Sequence, residues 1–189
     1  MFINRTTSVR VMAKAGSTFF LRAKLEMPAD GAFTEQEIPL GAFLNPLADQ
    51  ALVIHNIEVQ IADASAPDTP PFIEDGILNF GWNLATSAAQ TGTIWNATFL
   101  DDNSIVASGR YSVAANLTGG SSFYESQVRD MMPQTWSAGY TVASEALYLS
   151  GHASATSAGG AYNLSVVMEC SQIKLGKNEA INLALSQTN

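Results

Sequence analysis

Between residues 51 and 62 the chain alternates. Val53, His55, Ile57, Val59 and Ile61 fall on one side of an extended strand, and Leu52, Ile54, Asn56, Glu58, Gln60 and Ala62 fall on the other. A period of two, rich in β-branched side chains and free of Gly and Pro, predicts a long strand with one buried face. The pattern recurs at 17–26, where Phe19, Leu21, Ala23 and Leu25 share a face, and at 77–84, where Leu78, Phe80, Trp82 and Leu84 do. It recurs again at 162–171, where Tyr162, Leu164, Val166, Met168 and Cys170 do. The expected core joins Val53, Ile57, Val59 and Ile61 to Leu78, Phe80, Trp82 and Leu84 and to Leu164, Val166 and Met168. Segments 93–100 and 104–113 flank Asp101-Asp102-Asn103, turn chemistry that predicts a hairpin. A short extended piece is expected at 35–40. Residues 139–150 read as one strand, with Tyr140, Val142, Leu147 and Leu149 inward and a bulge where the apolar phase slips at Ser144 and Glu145.

The breakers between these runs predict connections. Asp30-Gly31 marks a turn at 27–31, and Asn45-Pro46 marks a loop with room for one helical turn at 41–50. Pro67, Pro70 and Pro71 keep 63–75 out of a sheet interior, and 151–161 is a connection of small residues. Residues 126–132 suggest a short helix, and 177–187 a terminal helix or a tail. The sum is seven or eight strands with no repeat. It predicts an all-β, two-sheet antiparallel sandwich of jelly-roll or Greek-key type with about eight strands, not an up-and-down barrel. The expected organisation is a flexible basic arm at 1–16, a sandwich domain at 17–173, and a tail or short helix at 174–189.

Composition changes the picture in one respect. Charged residues make up 14% of the 189-residue chain, against about 25% in ordinary soluble domains, and neutral polar and small residues take their place. A surface of that kind suits contacts between copies, where each Lys or Glu would have to be desolvated. The net charge of -8 divides unevenly. Residues 1–24 carry Arg5, Arg10, Lys14, Arg22 and Lys24 and no acid, whereas residues 25–173 carry sixteen acids against Arg110 and Arg129. An acidic body with a basic arm can dock the arm on an anionic surface: nucleic acid, lipid headgroups or a neighbouring copy. Such an arm is expected to be disordered or extended in an isolated subunit and to order against that surface.

Candidate chemistry is sparse. His55 lies on the apolar face of the organising strand, where a hydrogen-bonded neutral imidazole is the ordinary outcome. His55 and Glu58 would make a metal pair only on a helix, since strand positions three apart point to opposite faces. His152 has no carboxylate near it in sequence, and lone Cys170 reads as a buried hydrophobe that excludes an intrachain disulfide. The acids at 101–102 and 30–37 lack calcium-loop spacing, and Gly119-Gly120 and Gly159-Gly160 match no phosphate-binding pattern. Trp82, Trp95 and Trp136 could line a carbohydrate face, although Trp82 shares its face with Phe80 and Leu84. The Asn-x-Ser/Thr patterns at Asn4, Asn96, Asn116 and Asn163 follow from composition, because residues 1–24 lack a signal-peptide core and no apolar run is long enough to span a membrane. No catalytic residue, cofactor or metal ligand is assigned, and the expectation is a non-enzyme made in the cytoplasm and not secreted.

With its low charge, its abundant Ser, Thr, Asn and Ala, its strand count and loop layout over 17–173 and its basic arm at 1–16, the chain resembles the single jelly-roll major capsid proteins of small tailless icosahedral viruses. That resemblance implies two four-stranded sheets and assembly into trimer or pentamer capsomers within a shell around a genome, in some lineages around an internal membrane. It implies a virion location and partners that are copies of the chain, with other capsid proteins a further option and no small-molecule substrate. Arg5, Arg10 and Lys14 would touch a neighbour or an anionic interior. Five basic residues over 24 are few for genome binding, so contact with genome or membrane would be weak. The alternative is a soluble carbohydrate-binding or lectin-like sandwich using exposed aromatics and an acid-rich loop.

Overall fold

A computed structural model describes residues 18–44, 50–89, 103–116, 123–129 and 134–187. In chain order the described strands are β1 (Phe19–Met27), β2 (Thr34–Pro39), β3 (Gln50–Asp63), β4 (Asp75–Ala85), β5 (Ile105–Asn116), β6 (Phe123–Arg129), β7 (Gln134–Val142), β8 (Ala146–Ala153) and β9 (Tyr162–Lys174), followed by helix α1 (Lys177–Gln187). They form a four-stranded sheet in the order β1-β9-β3-β7 and a five-stranded sheet in the order β2-β8-β4-β5-β6, with every pairing antiparallel. The partners β1 with β9, β2 with β8, β3 with β7 and β4 with β5 are nested like one long hairpin, and its arms fold over so that successive pairs alternate between sheets. This is the jelly roll, an all-β two-sheet sandwich, with β6 as an extra strand on the edge of the second sheet.

The alternating apolar faces meet between the sheets. Leu21, Leu25, Leu164, Val166, Met168 and Cys170 from the first sheet pack with Leu78, Phe80, Trp82, Leu84, Leu147 and Leu149 from the second in a single buried cluster. Phe80 and Tyr162 cross the gap edge to face, with ring centroids 5.6 Å apart. Asp30-Gly31 makes the expected turn: Gly31 sits at φ 69°, its N–H donates to Pro28 O at 3.0 Å, and Asp30 Oδ1 accepts from Ala32 N at 3.0 Å. The proline-rich connection at 64–74 stays outside both sheets.

Three expectations change. The long strand does not keep one phase, because β3 slips register between Ile54 and Asn56 against both of its neighbours. Leu52 and Ile54 therefore join Ile57 in the core, with Val59 and Ile61 packed against it, while Val53 and His55 turn to the other side of the sheet. A bulge reverses the face of everything beyond it, so period counting across one assigns half a strand wrongly. Residues 139–150 are not one bulged strand. The phase slip at Ser144 and Glu145 marks the crossing from β7 in one sheet to β8 in the other. Residues 126–129 extend strand β6 where a helix was expected, paired along β5. The expected strand at 93–100 lies outside the described residues.

Candidate functional site

The most irregular place in the sheets is where β3 passes between β7 and β9. Ile54 pairs with Tyr140 and Asn56 with Thr135, so the β7 backbone from Trp136 to Gly139 loops out opposite the single bulged residue His55. Gly139 holds φ 75°, and a side chain there would collide with Val53 Cγ1 and stand 3.2 Å from His55 Nδ1. Only glycine fits. The bulge aims the imidazole across β9, where Nε2 lies 2.8 Å from Ser171 Oγ. A serine and histidine at this distance make half of a nucleophilic triad. However, Ser171 has 0% exposure, and among the described residues no carboxylate hydrogen-bonds to His55. The hydroxyl is out of reach of a substrate and no acid among the described residues orients the imidazole; the hydrogen bond ties the bulge on β3 to β9. Asn56, next to it, buries Oδ1 without a hydrogen-bond partner among the described residues.

The other singled-out residues are scattered. His152 lies on β8 in register with Gly81 on β4, at the opposite sheet from His55. Cys170 is buried in the core, and that burial pushes its thiol up to about 12, with the charge of Glu169 adding to the effect. Asp63 closes the turn after β3, accepting from Ser65 Oγ at 2.6 Å, Ser65 N at 2.8 Å and Ala66 N at 3.2 Å, which together hold its carboxyl below the usual range. Glu35 accepts from Ala89 N at 2.8 Å. Among the described residues no three His, Cys, Asp or Glu side chains come close enough together to hold a metal ion. Trp82 is 1% exposed and belongs to the core, and Trp136 packs at a tilt on Tyr140 with centroids 5.8 Å apart. Arg5, Arg10, Lys14, Trp95, Asp101 and Asp102 lie outside the described residues.

What the surface offers instead is a set of apolar side chains turned outward. Phe20 on edge strand β1 is 55% exposed, with the Arg22 guanidinium 5.7 Å above its ring, and Ile77 on β4 is 58% exposed. Helix α1 adds Ile181 and Leu185. Glu179 caps its start by accepting from Gly176 N at 3.0 Å, a favourable place for a carboxylate. Buried Gln187 ties down its end: Nε2 donates to Thr141 O at 2.7 Å, Oε1 accepts from Ala143 N at 3.1 Å, and the main-chain oxygen accepts from Thr86 Oγ1 at 2.7 Å. Leu183 and Gln187 thus share the docked face, and Ile181 and Leu185, four residues apart, stand together on the far one. The sequence held this signal in two interleaved i, i+4 pairs, but a tail and a helix were equally open there.

No protein-family profile and no curated protein matches the sequence. Solved structures do resemble the chain. Merkel cell polyomavirus VP1, as an unassembled pentamer, is similar at TM-score 0.41 and 8% identity over 86% of this chain and 98% of that one. The virus-like particle of the same virus gives TM-score 0.45 and 8% identity over 94% of this chain and 81% of that one. Desmodium yellow mottle tymovirus gives TM-score 0.27 and 10% identity over 92% and 99%. All are jelly-roll capsid proteins. The jelly-roll fold is established here by the strand order of this chain's own two sheets.

Proposed function

We propose that this chain is a structural protein that self-assembles into the shell of a viral capsid. The observation that carries the reading is the jelly-roll strand order in a chain with 14% charged residues. Sandwiches of this form present two broad sheet faces and two sets of end loops. When those surfaces are neutral, packing copies side by side desolvates few charges. Outward Phe20, Ile77, Ile181 and Leu185 supply apolar area for such contacts. On this reading the chain is not an enzyme, its partners are copies of itself in capsomers, and its place is the virion. The basic residues Arg5, Arg10 and Lys14 meet a neighbouring copy or an anionic interior. No helix among the described residues is long and apolar enough to cross a membrane. The lectin-like alternative loses Trp82 as an exposed platform, because that side chain fills the core.

Size-exclusion chromatography followed by negative-stain electron microscopy of the purified chain tests the proposal. The expected result is rings or closed particles that exchange with subunits as concentration falls. A species that stays monomeric across concentration and ionic strength, and gains thermal stability with a sugar, would replace this reading with the lectin-like one.

A further inference from the structure

In the first sheet β9 runs between β1 and β3. Leu21, Leu25, Ile57, Val166 and Met168 turn into the core, so the side chains that alternate with them form the sheet's outer face. The two ladders set that face out in rows. Arg22, Val167 and Glu58 stand side by side in one row, and Phe20, Glu169 and Asn56 in the next. A cation therefore lies on one flank of β9, an anion lies on the other, and an apolar side chain lies between them.

Phe20, Arg22 and Glu58 are exposed, and Val167 and Glu169 are half-buried. The backbones that carry Arg22 and Glu58 are two strand spacings apart, about 10 Å. The Arg22 guanidinium lies 5.7 Å above the Phe20 ring of its own strand, which leaves Glu58 on the far flank. In the row beyond Glu58, Gln60 Nε2 donates to Pro67 O at 3.3 Å, so the 64–74 connection borders the face at that end. A purely basic partner would meet Arg22 and Lys24 on the β1 flank, and a purely anionic one would meet Glu58 and Glu169. The face carries both signs in register, and a surface with the same two signs in reversed order complements it.

We propose that this face is a contact between two copies of the chain, related by a twofold axis that runs along β9. The inference rests on the self-assembly reading and specifies one of its contacts. A half-turn about such an axis exchanges the two flanks and keeps each row at its own height. Arg22 of each copy then stands over Glu58 of the other, Phe20 covers Asn56, and Val167 meets Val167. This is an isologous contact, in which one patch complements itself, and it stacks the two sheets with their strands aligned. Glu169 lies on the axis and faces its own copy, which opposes association. A face three strands wide and nine residues long covers roughly 15 Å by 30 Å, less than the ~800 Å² per partner of a stable pair, so it acts together with other contacts.

The test follows sedimentation of the full chain against concentration at low salt, for Arg22→Glu, for Glu58→Arg and for the two changes combined. Each single change places like charges together twice across the axis, and should raise the concentration needed for association roughly tenfold. The combined variant should restore it. So should a one-to-one mixture of the two single variants, because each contact between unlike chains then joins a cation to an anion. Glu169→Gln should lower the concentration needed, since it removes a charge that faces itself. Circular dichroism and melting temperature check each fold, with Arg22→Gln and Glu58→Gln as milder changes should a reversal unfold the protein. Unchanged association of both single variants, beside a wild type that associates, overturns this contact and leaves the self-assembly reading standing. A wild type that stays monomeric removes both. Rescue in the combined variant without rescue in the mixture places the pair within one chain and overturns the proposal. Weaker association of Glu169→Gln overturns the axis along β9. Effects that vanish when residues 2–14 are deleted make that segment the occupant and equally overturn the contact between faces.

Discussion

Tyr162 is the clearest case of a side chain held for its ring and not for its hydroxyl. The ring packs edge-on against Phe80 in the inter-sheet core, while the hydroxyl is buried with no hydrogen-bond partner among the described residues. Burial, aided by the charge of Asp30, pushes the phenol up from its ordinary value of 10.0. A raised folded pKa means that stability is present below the unfolded value and is lost as pH climbs past it. Tyr162→Phe should therefore gain about 1 kcal/mol in urea unfolding at neutral pH and should resist unfolding above pH 10 better than wild type. A loss of stability instead would mean that the hydroxyl has a partner. Cys170 makes a second residue-scale prediction. Its buried, protonated thiol should not react with a disulfide reagent in native protein and should react at once in denaturant; native labelling would refute the packing. Gly139 is a third case, because its positive φ and the contact with Val53 leave no room for Cβ. Gly139→Ala should cost about 1 to 3 kcal/mol.

At the scale of elements, the organising strand works as two half-strands joined by the bulge at His55. Ile57 has 0% exposure and sits just past that join, so Ile57→Ala should cost about 2 to 5 kcal/mol; a cost below about 0.5 kcal/mol would contradict its place in the core. Period-two counting located β1, β3, β4 and β9 because one face of each is buried against the opposite sheet, and that alternation is a local property of the chain. It failed at Val53, at 139–150 and at 126–129, where the deciding event is not local. The bulge depends on what β7 and β9 present across the ladder. The break between β7 and β8 depends on the two halves belonging to different sheets, and β6 is a strand because β5 offers it an edge. The candidate site was less legible still. His55 was expected on the apolar face, and its approach to Ser171 joins residues remote in sequence that only the bulge brings together. Gln187 ties the end of helix α1 with two side-chain hydrogen bonds and one from its main-chain oxygen, so Gln187→Ala, which removes the first two and keeps the third, should loosen that end and lower the melting temperature by a few degrees, about 1 to 2 kcal/mol in a protein of this size. Ile181→Ser with Leu185→Ser should leave stability nearly unchanged and weaken association, which concentration-dependent light scattering would detect.

For the whole molecule the governing fact is the separation of charge along the chain. Residues 1–24 carry +5 and residues 25–173 carry -14, so copies of the body repel one another over distances near the screening length unless positive charge is placed between them. If the chain self-assembles as proposed, Arg5, Arg10 and Lys14 of the expected arm can supply it. Each exposed pair contributes only a few tenths to about 1 kcal/mol, and three of them together are small beside the apolar and neutral-polar area of a subunit contact. Removing the arm should accordingly weaken assembly without abolishing it. The weakening should be largest at low salt, where repulsion between bodies is least screened, and should fade as salt rises. Deleting residues 2–14 and following particle formation by light scattering across ionic strength measures this directly. Identical assembly of the truncated and full chains at every salt would show that the arm takes no part. Complete loss at every salt would show that it does more than neutralise charge, and that it contributes packing contacts of its own.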